Sequence, residues 1–166
     1  MNITPLSREY LEETMKMVAE VFPDDVGAIY NPERSFNLGL QYAEHPDLLA
    51  NSETQRRLGY WIVLNESDEV VGTTGLYNKK DGPPDEVWLG WYCMRKDQRG
   101  KGLGRELLEW TVERARAEGY KKFKLYTSTD PNEARAQELY EKLGFKIIGE
   151  EDNDDGAKTL YREKTL

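Results

Sequence analysis

The chain has 166 residues, 38% of them hydrophobic, with 23 Lys and Arg against 31 Asp and Glu, a formal net charge of −8 at pH 7. That length suits one domain around one core, and the absence of a long apolar run sets aside a membrane partner and a signal peptide. The acidic balance sets aside general nucleic-acid binding and suits a cationic amine, while the single cysteine, Cys93, rules out an internal disulfide and a cysteine zinc site. No metal is expected, and a reducing cytoplasm is the natural setting.

Residues 2–5 read as a short first strand, and Ser7 is placed to cap a helix from about Arg8. Leu11, Met15, Val18, Val21 and Phe22 give that helix an apolar side, and Pro23-Asp24-Asp25 ends it. Pro32 opens a second helix through Phe36, Leu38, Leu40 and Tyr42 to about Ala43. The pattern breaks at His45-Pro46, leaving 44–58 irregular with a short turn at Leu48-Leu49, and His45 reads as a surface residue. Residues 60–64 and 70–77 flank a turn at 65–69 and read as a hairpin, followed by an exposed loop over 79–84.

Residues 86–94 carry strand-like bulk, and strict alternation sends Trp88, Gly90 and Tyr92 to one face and Trp91 to the other. After the run Arg99-Gly100-Lys101-Gly102-Leu103-Gly104, a helix places Leu103, Leu107 and Trp110 on one side, widened by Leu108, Val112 and Ala115. A strand over 121–128 follows, with Phe123, Leu125 and Thr127 sharing a face. Asp130 is then the expected N-cap of a helix, with Pro131 at its first position and Glu133 closing a capping box. That helix runs to Leu143, where Gly144 stops it. Phe145 begins another strand, and after an acidic turn over 150–156 the last strand covers 159–163. No repeat or linker divides the chain, so residues 1–166 read as one domain.

The glycine run is the chemical signal. Glycines at this density let backbone N–H groups curl around an anion, and a helix start adds its unpaired donors and positive end. A nucleoside-triphosphate loop needs Ser or Thr after Gly100-Lys101, but Gly102 stands there. A dinucleotide fingerprint counted from Gly100 needs a glycine where Arg105 stands. The spacing present is Arg99-x-x-Gly102-x-Gly104, which resembles the coenzyme A signature of the GNAT superfamily of N-acetyltransferases. The string Leu139-Tyr140-Glu141-Lys142-Leu143-Gly144-Phe145 is similar to the second hallmark of that family, in the family's order. The resemblance covers about residues 60–164.

The resemblance implies an α/β (α+β) GNAT fold. Its single mixed, mostly antiparallel sheet has six or seven strands, helices on both faces and splayed fourth and fifth strands. It also implies acetyl transfer from acetyl-CoA, the co-substrate, to a small-molecule or peptide amine by direct attack in a ternary complex. Transfer from another acyl-CoA, or a non-catalytic CoA-binding regulatory domain, stays open, as does a homodimer.

By the same resemblance, N–H groups of Gly100, Lys101, Gly102, Leu103, Gly104 and Arg105 hold the pyrophosphate, with the Arg99 side chain nearby. The side chains of Lys101 and Arg105 either help or are solvated. Main-chain donors near Cys93 and Met94 polarise the thioester carbonyl, Cys93 itself being a small hydrophobe. Tyr140 is the acid for the leaving thiolate. Glu86, thirteen residues before Arg99, is either the base through a water or an exposed strand-end carboxylate. Asn132 lies one residue off the family's coenzyme-contacting asparagine, whose position Glu133 takes. No carboxylate stands at Tyr126-Thr127-Ser128, where the ribosomal-protein-acetylating subgroup places one. Trp61, Trp88, Trp91, Tyr92 and Trp110 read as core, with one of them at the acceptor cleft.

Overall fold

The computed structural model describes residues 1–23, 31–154 and 156–166. Seven strands form one sheet in the order β1-β2-β3-β4-β5-β7-β6. They are β1 (Asn2–Pro5), β2 (Gln55–Leu64), β3 (Val70–Lys79), β4 (Glu86–Met94), β5 (Lys122–Ser128), β6 (Lys146–Asp152) and β7 (Lys158–Thr165). Every neighbouring pair is antiparallel except β4 and β5. That parallel pair shares only three rungs, Glu86 with Lys122, Val87 with Phe123 and Trp88 with Lys124. Beyond Trp88 the two strands run on to Met94 and Ser128 without pairing, so the sheet opens there.

Helices cover both faces. On one, α1 (Leu11–Val21) and α2 (Pro32–Glu44) bury Met17, Val18, Phe36 and Leu40 against Leu58, Tyr60, Ile62 and Leu64. On the other, α4 (Leu103–Ala117) and α5 (Ala134–Lys142) bury Leu108, Val112, Ala115 and Tyr140 against Leu76, Val87, Phe123 and Leu125. Each large apolar side chain so buried stabilises the fold by about 1.5–3 kcal/mol. The short α3 (Pro46–Ala50) forms where only a turn was expected, because Pro46 presets the first helical position.

Several local expectations are corrected. Ser7 makes no side-chain cap; a 3-10 turn over Arg8–Tyr10 intervenes, and α1 begins at Leu11. Of its expected stop, Asp24 and Asp25 lie outside the described residues. β2 starts five residues before Tyr60 because Arg56 laces that end to the carbonyls of Lys79, Lys80 and Gly82. Glu133 does not close a capping box. Asp130 accepts the Asn132 N–H at 2.7 Å, but Glu133 turns to the Thr127 hydroxyl and the Ser128 N–H. Residues Pro131–Glu133 are therefore a 3-10 turn, and α5 starts at Ala134.

The largest correction is in β4. Between the rungs Gly75–Gly90 and Thr73–Cys93 the strand carries one extra residue, a bulge that shifts the alternation. Trp91 joins the α1–α2 face, edge-on to Phe22 at 6.0 Å, and Tyr92 joins the α4–α5 face. Trp88, Gly90 and Tyr92 thus do not share a face.

Candidate functional site

The turn between β4 and α4 needs its glycines for different reasons. Gly100 and Gly102 hold φ of +79° and +82°, the left-handed region that side chains disfavour, and a Cβ on either would meet no atom within 4 Å. Open space therefore lies over the turn. Gly104 is needed for close approach, since a Cβ there would come within 3.2 Å of the Tyr92 hydroxyl. That hydroxyl donates to the Gly104 carbonyl at 2.6 Å and fixes the first turn of α4 on β4.

The donors this turn presents are unspent. Glu106 N–H is the first in α4 to bond backward, to Gly102 O at 3.1 Å. Among the described residues, N–H groups from Gly100 to Arg105 have no acceptor. Six donors at a helix N-terminus make an anion cradle. Arg99 reaches back, its Nε donating to Met94 O at 3.1 Å, which ties the turn to the strand end. The Lys101 ammonium donates to Gln98 and the Arg105 Nε to Glu109, each at 2.9 Å and exposed. Leu103 packs under α4 with Val63, Val71 and Met94.

Cys93 faces the α1–α2 core, where burial pushes its thiol up to about 12. It is a packed hydrophobe, with no thiolate at neutral pH. Tyr140 lies on the α4–α5 face beside Tyr92 and Phe145, ring centres 6.4 and 6.0 Å away. Among the described residues its hydroxyl has no hydrogen-bond partner. Burial above all, then Tyr92 and Glu133, pushes its phenol well above the ordinary tyrosine range. It stays a proton donor throughout the neutral range.

Glu86 is on the opposite face, at the first rung of the β4–β5 ladder. It is buried, not exposed, and its carboxylate is ion-paired with Lys124 and, at 3.5 Å, with Lys122. Glu163 completes the cluster, 3.6 Å from Lys124. Above it the Lys124 ammonium lies over Trp88 at 5.7 Å, and Trp88 stacks on Tyr77 and meets Tyr161 edge-on. Asn132 is exposed on the 3-10 turn, while Glu133, seven residues before Tyr140, is spent on the end of β5. His45 is exposed between α2 and α3. Lys124 escaped sequence reasoning. A lysine at an inward strand position was the available signal.

Among the described residues, no group of three or more His, Cys, Asp or Glu could hold a metal, and no helix is long and apolar enough to cross a membrane. A model of the acetyltransferase (GNAT) family matches residues 16–145. The chain is similar to an L-methionine sulfoximine/L-methionine sulfone acetyltransferase of Pseudomonas aeruginosa, 35% identical over 131 residues, 74% of each chain. It is 29% identical over 142 residues to an S-(2-succino)cysteine N-acetyltransferase of Bacillus subtilis, 82% of this chain and 84% of that one. It shares the fold of an aminoglycoside 6′-N-acetyltransferase solved with coenzyme A, at a TM-score of 0.67, 18% identity, and 99% and 97% of the two chains.

Proposed function

The chain belongs to the GNAT acetyltransferase family, and from that premise we propose that it moves the acetyl group of acetyl-CoA to a small amine by direct attack in a ternary complex. The observation that carries this reading is the coincidence of two features at one opening. Unspent donors of Gly100–Arg105 crown it, and the Tyr140 phenol, protonated and unbonded, stands at its side.

Acetyl-CoA supplies the acetyl group and a sulfur leaving group. The turn holds the pyrophosphate by N–H groups of Gly100 through Arg105, with Arg99 bracing its entry to β4. The unpaired edge of β4 near Cys93 and Met94 offers main-chain donors to the coenzyme's arm and carbonyl. Asn132, exposed on the turn before α5 and one residue displaced from the family's usual contact, is assigned to the coenzyme's arm. Tyr140 gives its proton to the departing sulfur. Glu86, on the other face, takes the amine's proton through a water, held in place by Lys124. The acceptor approaches from the α1–α2 face over Trp88.

Relatives named for L-methionine sulfoximine and S-(2-succino)cysteine direct the first acceptors to amino-acid derivatives. The test is free-thiol release from acetyl-CoA against a panel headed by those two, followed by spermine, an aminoglycoside and a short peptide. Release with one class identifies the acceptor. CoA binding with no release from any would make the chain a non-catalytic binding domain.

A further inference from the structure

The coenzyme proposed above meets this chain at two points, the turn before α4 and the Tyr140 hydroxyl on α5. One side chain lies against both. Tyr92 of β4 donates its hydroxyl to the Gly104 carbonyl at 2.6 Å, in the first turn of α4. Its ring lies beside that of Tyr140, 6.4 Å from centre to centre and tilted by 54°. Half-buried, it packs against the layer that holds Leu108 and Tyr140 and against the one that holds Met94 and Leu107.

Two local features make that reach possible. The bulge in β4 carries Tyr92 to the α4–α5 face, where strict alternation would have placed it with Trp88 on the other. A regular strand would therefore break both contacts. Position 104 must also be glycine, because a Cβ there would stand 3.2 Å from the Tyr92 hydroxyl, closer than an ordinary contact. Glycine in a helix is less stable than alanine, so helix propensity does not account for it. The bulge and the glycine serve one hydroxyl.

We propose that Tyr92 is a positioning residue that sets the pyrophosphate end of the coenzyme against the Tyr140 hydroxyl. This rests on the reading that the turn holds acetyl-CoA and that Tyr140 is the acid. Backbone donors fix the phosphates relative to α4, whereas the Tyr140 phenol moves with α5. The coenzyme is one molecule, so its sulfur meets the Tyr140 proton only while the two helices keep their spacing. Tyr92, bonded to one helix and packed on the other, keeps it. A misplacement of about 1 Å is enough to lower turnover heavily. Tyr92 exchanges no proton in the transfer, and its hydroxyl stays on Gly104.

The test compares two ligands of different reach, with dissociation constants read by titration calorimetry. ADP carries the diphosphate without the arm and reads the turn alone, while CoA runs from the turn to Tyr140. Tyr92→Phe deletes the hydroxyl and keeps the ring. Its dissociation constant for ADP should stay within about twofold of the parent's while that for CoA rises about fivefold, as for one lost hydrogen bond. Its kcat should fall about tenfold or more. Gly104→Ala presses on the same hydroxyl, so it should lower kcat in the parent. In Tyr92→Phe it should add nothing, because the neighbour left to its Cβ is Met94 at 3.6 Å. A merely stabilising role would move the melting temperature and leave both kcat and the ratio of the two affinities as in the parent. Should Tyr92→Phe fail to fold, Gly104→Ala decides with the same two ligands, weakening CoA and sparing ADP. Equal losses for ADP and CoA, an unchanged kcat, or additive losses in the double variant would each overturn the proposal. A parent that acetylates no amine would instead overturn the proposed function, and the ratio of the two affinities would still report on Tyr92.

Discussion

The two sides of the β4–β5 opening are built from different materials. On the α4–α5 side the polar groups offered to a ligand are backbone N–H donors and one phenol, set among Tyr92, Phe145 and Leu107. On the α1–α2 side they are side chains, the quartet Glu86, Lys122, Lys124 and Glu163 beneath Trp88, Tyr77 and Tyr161. Backbone donors bind whatever phosphate they are given and tolerate change in the surrounding side chains. A side-chain quartet of two anions and two cations has little net charge, so it selects by shape and hydrogen bonding. In the proposed reaction the coenzyme falls to the first side and the acceptor to the second. Breaking each side separately shows whether that division holds.

The largest effect belongs to the turn. Gly102→Asp places a negative charge where the pyrophosphate is expected and adds strain at φ +82°. It should abolish the rise in melting temperature that CoA gives by binding the native state alone. Gly102→Asn separates the causes, because Asn matches Asp in size and backbone preference and lacks only the charge. The Asn variant should keep part of the thermal shift. Equal shifts in parent and Gly102→Asp would remove the turn from coenzyme binding.

Next in size is Tyr140→Phe, which deletes a proton and almost no volume. A positioned acid contributes roughly 10²–10⁴-fold, so kcat should drop by that order while the CoA thermal shift stays as in the parent. Turnover equal to the parent at every pH would assign the proton to a water. Together these two variants test the backbone-built side without touching the quartet.

That side was also the legible one, for a physical reason. A left-handed turn at Gly100 and Gly102 admits few residues, so the backbone writes itself into the sequence, and α4 follows from the spacing of Leu103, Leu107 and Leu108. The hairpin was read from the turn at 65–69 between its strands, and the start of β4 at Glu86 from strand-like bulk. Alternation then failed at one extra residue, because nothing in Gly90-Trp91-Tyr92-Cys93 marks a bulge, and Trp91 and Tyr92 went to the wrong faces. Glu133 was mistaken for a cap because its competing partners, Thr127 and Ser128, come from a different strand.

The smallest effect, and the sharpest test of the side-chain-built half, comes from Glu86. An ammonium acceptor must lose a proton before its nitrogen can attack, and Glu86 is the quartet's buried carboxylate on β4. Two lysine ammonium groups already hold its oxygens, so the carboxylate is engaged before a water reaches it. Glu86→Gln should therefore lower kcat/KM by only about tenfold at pH 7, less than a fully engaged base contributes. The deficit should shrink as pH rises, because solvent then supplies neutral amine. Removing one carboxylate of this part-buried cluster also destabilises the fold by leaving Lys122 and Lys124 to share Glu163 alone. The double variant Glu86→Gln with Lys124→Met restores neutrality, and its melting temperature should recover while its rate at pH 7 does not. If rate and stability recover together, Glu86 acts only through the ion pair that closes β4 on β5, and the proton leaves by water alone. If the rate stays low and rises with pH, the acceptor side carries a base of its own.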